Sequence, residues 1–197
     1  GKLRGVGFIF VLCFLISSVL FLPLDVEYVI YGILLFAMMI SGYLDDASKT
    51  PWNEYKKGLI DLVISVVAVL TYMNFNSTTI CFGADEIVIP KALFLILGVI
   101  LIWVSVNVTN CTDGVDGLCA SLCSVTLLAF GVLFASVLQK YAMANFLFLS
   151  VLFAYLYFNS SPSSMLMGDA GSRALGFYIA VIALKSTHPF IYLLLAA

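Results

Sequence analysis

Long apolar runs separated by short polar breaks set the pattern of this chain. The runs predict helices over about 5–23, 28–44, 58–74, 91–107, 118–138, 142–158 and 169–185, and Pro189 opens an eighth. Such lengths match the ~17–25 residues with which a helix crosses a bilayer. None of the runs shows the sustained alternation of a membrane β-strand. The breaks carry the turn and charge signals: Asp25 to Glu27, Asp45 to Lys57, 76–90, Asn107 to Leu118, Gln139-Lys140, and Asn159 to Gly168. This pattern predicts an all-α integral membrane protein, a polytopic helix bundle of about seven complete transmembrane helices plus the start of an eighth. Residues 1–197 read as a single transmembrane domain. The chain begins without Met and stops inside an apolar run, so it reads as truncated at both ends.

Composition agrees with that pattern. The chain is 63% hydrophobic and 10% charged, where a soluble domain is about half apolar and about a quarter charged. Net charge is −2, which leaves no basic footprint for nucleic acid. The five cysteines lack paired Cys-x-x-Cys spacing and read as small hydrophobes rather than zinc ligands. His188, the one histidine, reads as a boundary residue.

Counting spans sorts the ends. Residues 1–4, 45–57, 107–118 and 159–173 share one side, and 24–27, 75–90, 139–141 and 185–189 share the other. The first side carries Lys2, Arg4, Lys49, Lys56, Lys57 and Arg173; the second carries Lys91, Lys140 and Lys185. Lysine and arginine favour the cytoplasmic side, so the first side is expected to be cytoplasmic. The same count gathers Asp45, Asp46, Asp113, Asp116 and Asp169 on that face. Any one of them alone reads equally well as a solvated loop end or a helix cap. Together they read as a functional site.

Clustered carboxylates repel unless a cation neutralises them. Mg²⁺ takes one or two carboxylates and completes its shell with phosphate oxygens, so a phosphate-bearing substrate is the expected companion. No Gly-x-x-x-x-Gly-Lys-Ser/Thr loop is present, which excludes a P-loop nucleotidase. Gly168 to Ser172 opens the seventh helix, where free N–H groups favour an anion. There Ser172 adds a hydroxyl and Arg173 a cation suited to phosphate. A metal-free carboxylate of the Asp45-Asp46 pair fits a base or nucleophile.

At these residues the sequence resembles the polyprenyl-phosphate N-acetylhexosamine-1-phosphate transferase superfamily. Gly42-Tyr-Leu-Asp-Asp46 is similar to its Gly-x-x-Asp-Asp. Asn107 to Leu118 is similar to its Asn-x-x-Asn-x-Thr-Asp-Gly-x-Asp-Gly-Leu. Met167-Gly-Asp-Ala-Gly-Ser172 is similar to its Met-Gly-Asp-x-Gly-Ser. The resemblance implies a Mg²⁺-dependent transferase in a bacterial inner membrane, with its site on the cytoplasmic face. The wording Asn-Cys-Thr-Asp-Gly-Val-Asp-Gly is closest to members that move phospho-N-acetylmuramoyl-pentapeptide. These take UDP-MurNAc-pentapeptide and undecaprenyl phosphate to lipid I and UMP, in peptidoglycan synthesis. The N-acetylglucosamine-1-phosphate branch is the alternative.

Carried over residue by residue, Asp169 is the magnesium ligand. Asp45 acts on the lipid phosphate, as base or in its positioning, and Asp46 assists. Asn107, Asn110, Asp113 and Asp116 hold the nucleotide-sugar side, with Gly168 and Ser172 beside them. Lys2 stands for the family's substrate lysine, and the family also implies a homodimer. Two departures stand out. The family's aromatic residue before Met-Gly-Asp is Leu166 here, and its histidine-rich loop is not found before Ala197. Beside the transferase stand two other readings, an inactive fragment and a channel or transporter with an acidic vestibule. Transporters place polar groups at mid-membrane on broken helices, whereas the runs 28–44, 91–107 and 142–158 are almost free of charge at mid-span. Asp61 is the nearest exception.

Overall fold

The computed structural model describes residues 2–48, 50, 52–82, 85–189 and 192. Among the described residues, seven helices and one small hairpin follow in order: α1 (Gly7–Phe21), α2 (Val26–Asp46), α3 (Glu54–Phe75), β1 (Thr79–Phe82), β2 (Asp85–Val88), α4 (Lys91–Thr112), α5 (Leu118–Phe134), α6 (Gln139–Asn159) and α7 (Gly168–Lys185). The fold is thus an all-α bundle carrying one two-stranded antiparallel ribbon. Four helices, α2, α3, α4 and α6, are long and apolar enough to cross a membrane; α1 and α5 are apolar but shorter. The expected eighth helix falls almost entirely outside the described residues, as does Lys49.

One helix is unlike the rest. Every residue of α7 from Ala170 to Lys185 is buried, and α1, α2, α4 and α5 pack around it. The outer helices turn large apolar side chains outward instead, among them Ile9, Ile33, Val63, Ile96, Val125 and Phe153. An apolar outer face of that extent belongs against lipid rather than water.

Small residues let the backbones meet. A Cβ on Gly7 would lie 2.2 Å from the Gly171 Cα, and a Cβ on Gly176 would lie 2.7 Å from the Ser105 carbonyl oxygen. Close backbone approach through Gly and Ala is how helices associate where no hydrophobic drive separates helix from lipid. Ser105 Oγ donates to the Gly176 carbonyl at 2.8 Å across the same crossing. Farther along, Phe14 of α1 stacks on Phe148 of α6 with centroids 4.1 Å apart, and Tyr178 of α7 meets both edge-on.

The ends sort as the span count expects. One end joins Leu3 to Met165, Lys2 to Asp116, and Asp45 to Lys57. The other joins Asp25 to Lys140, Glu27 to Lys185, and Cys81 to Thr187. Local structure departs from expectation in two places. The segment 76–90 was expected to be a polar loop, but it forms the hairpin, with Thr79 opposite Val88 and Ile80 opposite Ile87. Its β-branched residues favour strands over coil. Helix α4 also runs five residues past the expected 107, so Asn110 to Thr112 are helical. With Thr112 Oγ1 bonded back to the Thr109 carbonyl at 2.7 Å, the last turn is held closed.

Cys111 is exposed at the first end, while Cys81 lies in the hairpin at the second. A membrane-impermeant maleimide applied to one side of sealed vesicles should label only one of them. Labelling of both from the same side would break the two-ended arrangement.

Candidate functional site

The site forms where α7 begins. Gly42 sits where α2 crosses the first turn of α7, and a Cβ there would lie 2.4 Å from the Asp169 carbonyl carbon and oxygen. That contact explains the spacing Gly42-x-x-Asp45-Asp46. Positions three and four residues on return to one helix face, so both carboxylates arrive beside the start of α7. Asp46 Oδ2 accepts the Ala170 N–H at 3.2 Å.

From the other side comes the acidic turn after α4. Asp113 Oδ2 accepts the Gly168 N–H at 2.9 Å. Gly168 has φ +68, and a Cβ on it would sit 2.4 Å from Asp46 Oδ2. A side chain is therefore excluded twice, by backbone conformation and by space. The expected open anion site at this helix start is instead occupied by the chain's own carboxylates. The positive end of the helix dipole suits them.

Lys57 lies at the centre. Its Nζ is 2.6 Å from Asp45 Oδ2 and 3.3 Å from Asp169 Oδ2. Glu54 reaches the same ammonium at 3.6 Å from its exposed position. Asp45 also accepts the Trp52 N–H at 2.7 Å, which ties the segment after α2 back onto the site. In the sequence Lys57 reads only as one of the charges that set sidedness. Its position, on the same face as the aspartates and at the start of α3, was the available signal.

The remaining expected residues divide. Asn110 Oδ1 accepts the Ser172 hydroxyl at 2.6 Å, joining α4 to α7 beside the cluster. Asp116 pairs with Lys2 and accepts the Ser163 N–H at 3.2 Å, so both sit at the rim. Asn107 is not brought in: it is exposed, and its amide donates to the Trp103 carbonyl of its own helix at 2.7 Å. Arg173 does not face a phosphate. It is buried, and its Nη2 donates to Asp61. Asn159 had no sequence signal. Buried at the end of α6, it accepts the Gly117 N–H at 3.1 Å and donates to the Met165 carbonyl at 2.8 Å, joining two loops.

Electrostatics separate the two aspartates of the acidic turn. Burial pushes the Asp113 carboxyl up to about 7, and the neighbouring Asp46 and Asp169 push the same way against the Gly168 N–H. The Lys2 ammonium and the Ser163 N–H hold Asp116 below the usual carboxylate range. Among the described residues, no three His, Cys, Asp or Glu side chains form a metal cage. Asp45 and Asp169, bridged by one ammonium, fit a hard cation that takes its other ligands from phosphate and water.

The bundle thus presents an apolar outer face and holds a carboxylate-rich site at one end. The family model for glycosyl transferase family 4 matches residues 28–187, and the chain belongs to that family. It is 35% identical over 216 residues to the phospho-N-acetylmuramoyl-pentapeptide-transferase of Treponema pallidum (strain Nichols), covering 98% of this chain and 60% of that protein. The protein of the same name from Wolinella succinogenes is 30% identical over 221 residues, covering 97% of this chain and 62% of its own length. A third, from Fervidobacterium nodosum, is 29% identical over 153 residues, 75% of this chain and 48% of that protein. The chain thus spans about 60% of the length of the first two relatives.

Two outcomes follow from the geometry. Gly42→Ala should destabilise the protein by about 1–3 kcal/mol through overpacking, with a disproportionate loss of activity because Asp45 and Asp46 move off Asp169. Gly58→Ala, which meets nothing within 4 Å, is the control and should be neutral or slightly stabilising. The second outcome concerns pH. Asp113 titrates higher when folded than unfolded, so the folded state holds the extra proton. Stability then falls as pH rises from about 4 through about 7. Melting temperature should decline across that window, and Asp113→Asn should flatten the decline; an unchanged slope would show that Asp113 is not its source.

Proposed function

We propose that this chain carries the active centre of a phospho-N-acetylmuramoyl-pentapeptide transferase in a bacterial inner membrane, its site facing the cytoplasm. In the reaction, an oxygen of undecaprenyl phosphate attacks the sugar-side phosphorus of UDP-MurNAc-pentapeptide. The bond from that phosphorus to the bridging oxygen breaks, giving lipid I and UMP. One observation carries the reading: Asp45, Asp46, Asp113 and Asp169 converge with Lys57 on the start of α7, in a chain whose relatives are named for this transfer.

The roles follow from position. Asp45 and Lys57 pair with each other, and in this reading a lipid phosphate meets them. Lys57 offers an ammonium to phosphate oxygens, and Asp45 orients that phosphate or takes its proton. Asp46, on the α7 N–H groups, keeps the α2 end in place. Asn110, Asp113, Asp116, Ser172 and Lys2 form the side toward the nucleotide sugar, and Gly168 leaves room between the halves. Asn107 belongs to this reading only as a neighbour on the exposed face of α4. Mg²⁺ would be held by Asp169 with Asp45 beside it, and would neutralise charge on the diphosphate. A homodimer rests on the family resemblance.

The test is release of UMP from UDP-MurNAc-pentapeptide by the full-length protein in undecaprenyl phosphate micelles, with and without Mg²⁺. Asp169→Asn should lower the rate by about a hundredfold or more. Full activity in that variant would remove Asp169 from the centre. Turnover of UDP-GlcNAc in place of the pentapeptide substrate would move the chain to the other branch.

A further inference from the structure

One turn below the carboxylate cluster lies a second ion pair that the proposed chemistry does not use. Arg173 Nη2 donates to Asp61 Oδ1, and the two side chains are 2% and 4% exposed. Asp61 follows Lys57 by one turn on α3, and Arg173 follows Asp169 by one turn on α7. Both helices start at the same end of the bundle, so they run parallel and the pairs form two rungs. Lys57 faces Asp169 on the first, and Asp61 faces Arg173 on the second. Charge alternates along each helix. Sliding one helix by a turn would set Lys57 against Arg173, or Asp61 against Asp169, and like charges far from water repel strongly.

The packing makes this pairing matter. Helix α3 packs on α2 and α4, and these side-chain rungs reach from it to α7. Arg173 also has spare capacity: its Nε and Nη1 are buried with no hydrogen-bond partner among the described residues. Asp169 is the carboxylate one turn back on the same helix, the i, i+4 distance at which side chains meet.

We propose that Asp61 is a positioning residue. By holding Arg173 across to α3, it keeps that guanidinium off Asp169 and leaves Asp169 to Lys57 and to an incoming cation. With Arg173 it also fixes the register of α3 against α7. Only the cation in this statement rests on the proposed function; the pairing does not.

A double-mutant cycle on melting temperature in EDTA, with the full-length protein in detergent, tests the pairing without metal. In Asp61→Asn, Arg173 turns back to Asp169 and part of the loss is recovered. In Asp61→Asn with Asp169→Asn, Arg173 is buried with no carboxylate at all. The double loss should exceed the sum of the single losses by about 3 °C or more. Additive losses would overturn the proposal. Asp61→Asn with Arg173→Met removes the stray cation and should recover most of the stability; failure to recover would equally count against it. A second arm reads Mg²⁺ by its stabilising shift. The midpoint should rise about fivefold or more in Asp61→Asn and return in Asp61→Asn/Arg173→Met. An unchanged midpoint in Asp61→Asn would refute the guarding of Asp169. No Mg²⁺ response in the wild type would sink the cation reading, while the cycle still decides the pairing.

Discussion

The burial of α7 on every side is the constraint from which the rest follows. A helix surrounded by other helices must bring small residues to each crossing, and α7 does so with Gly171 against α1, Ala170 against α2 and Gly176 against α4. It must also satisfy every charge it carries, because an ion removed from water without a partner is very costly. Helix α7 carries three such residues toward the protein interior. Asp169 meets Lys57, Arg173 meets Asp61, and Lys185 meets Glu27. All three partners come from α2 or α3, so one buried helix dictates where its neighbours place their ionisable groups.

At the start of α7 this produces an imbalance. Four carboxylates gather there: Asp45 and Asp169 share the Lys57 ammonium, and Asp46 and Asp113 accept N–H groups of α7. The backbone N–H groups and the helix dipole favour Asp46 and Asp113, and burial pushes the Asp113 carboxyl up. What remains is a surplus of negative charge over the Lys57 ammonium that pairs with Asp45 and Asp169. In the proposed function this surplus would receive a divalent ion and the phosphates that ion brings. Small-residue packing and site chemistry are therefore linked: widening the Gly42 crossing would relax the crowding that creates the surplus.

Much of this was legible in the residues. The apolar runs placed the seven described helices, and alternation of spans put Asp45, Asp46, Asp113, Asp116 and Asp169 at one end, where they are found. Periodicity could not give side-chain direction. Arg173 sits one turn from Asp169 and reads as a phosphate clamp until the burial of α7 is known; then it can only face α3. Lys57 lay among other basic residues in a polar break, with nothing local to distinguish it from Lys56, which instead rests over the Trp52 ring. The hairpin was hidden for a different reason. Its charged and polar residues suggested a loop, and the strand signal lay in the β-branched residues between them.

The two ends of α7 show why one is a site and the other a fastening. At the far end Lys185 Nζ bonds both Glu27 oxygens, at 2.8 and 2.7 Å, and the Asn76 carbonyl oxygen at 2.8 Å. Asn76 donates in turn to Glu27 at 2.7 Å, and Tyr31 closes on the same carboxylate. One anion meets one cation there, and neutral donors take up the remaining lone pairs. A network so completed rigidifies the bundle and has nothing left to offer a ligand. The near end has the same ingredients in unequal numbers. The hairpin, through the Cys81 N–H on the Thr187 carbonyl at 3.0 Å, further holds the far end in place. With that end fixed, the unequal end is the one at which the proposed function puts its ligand.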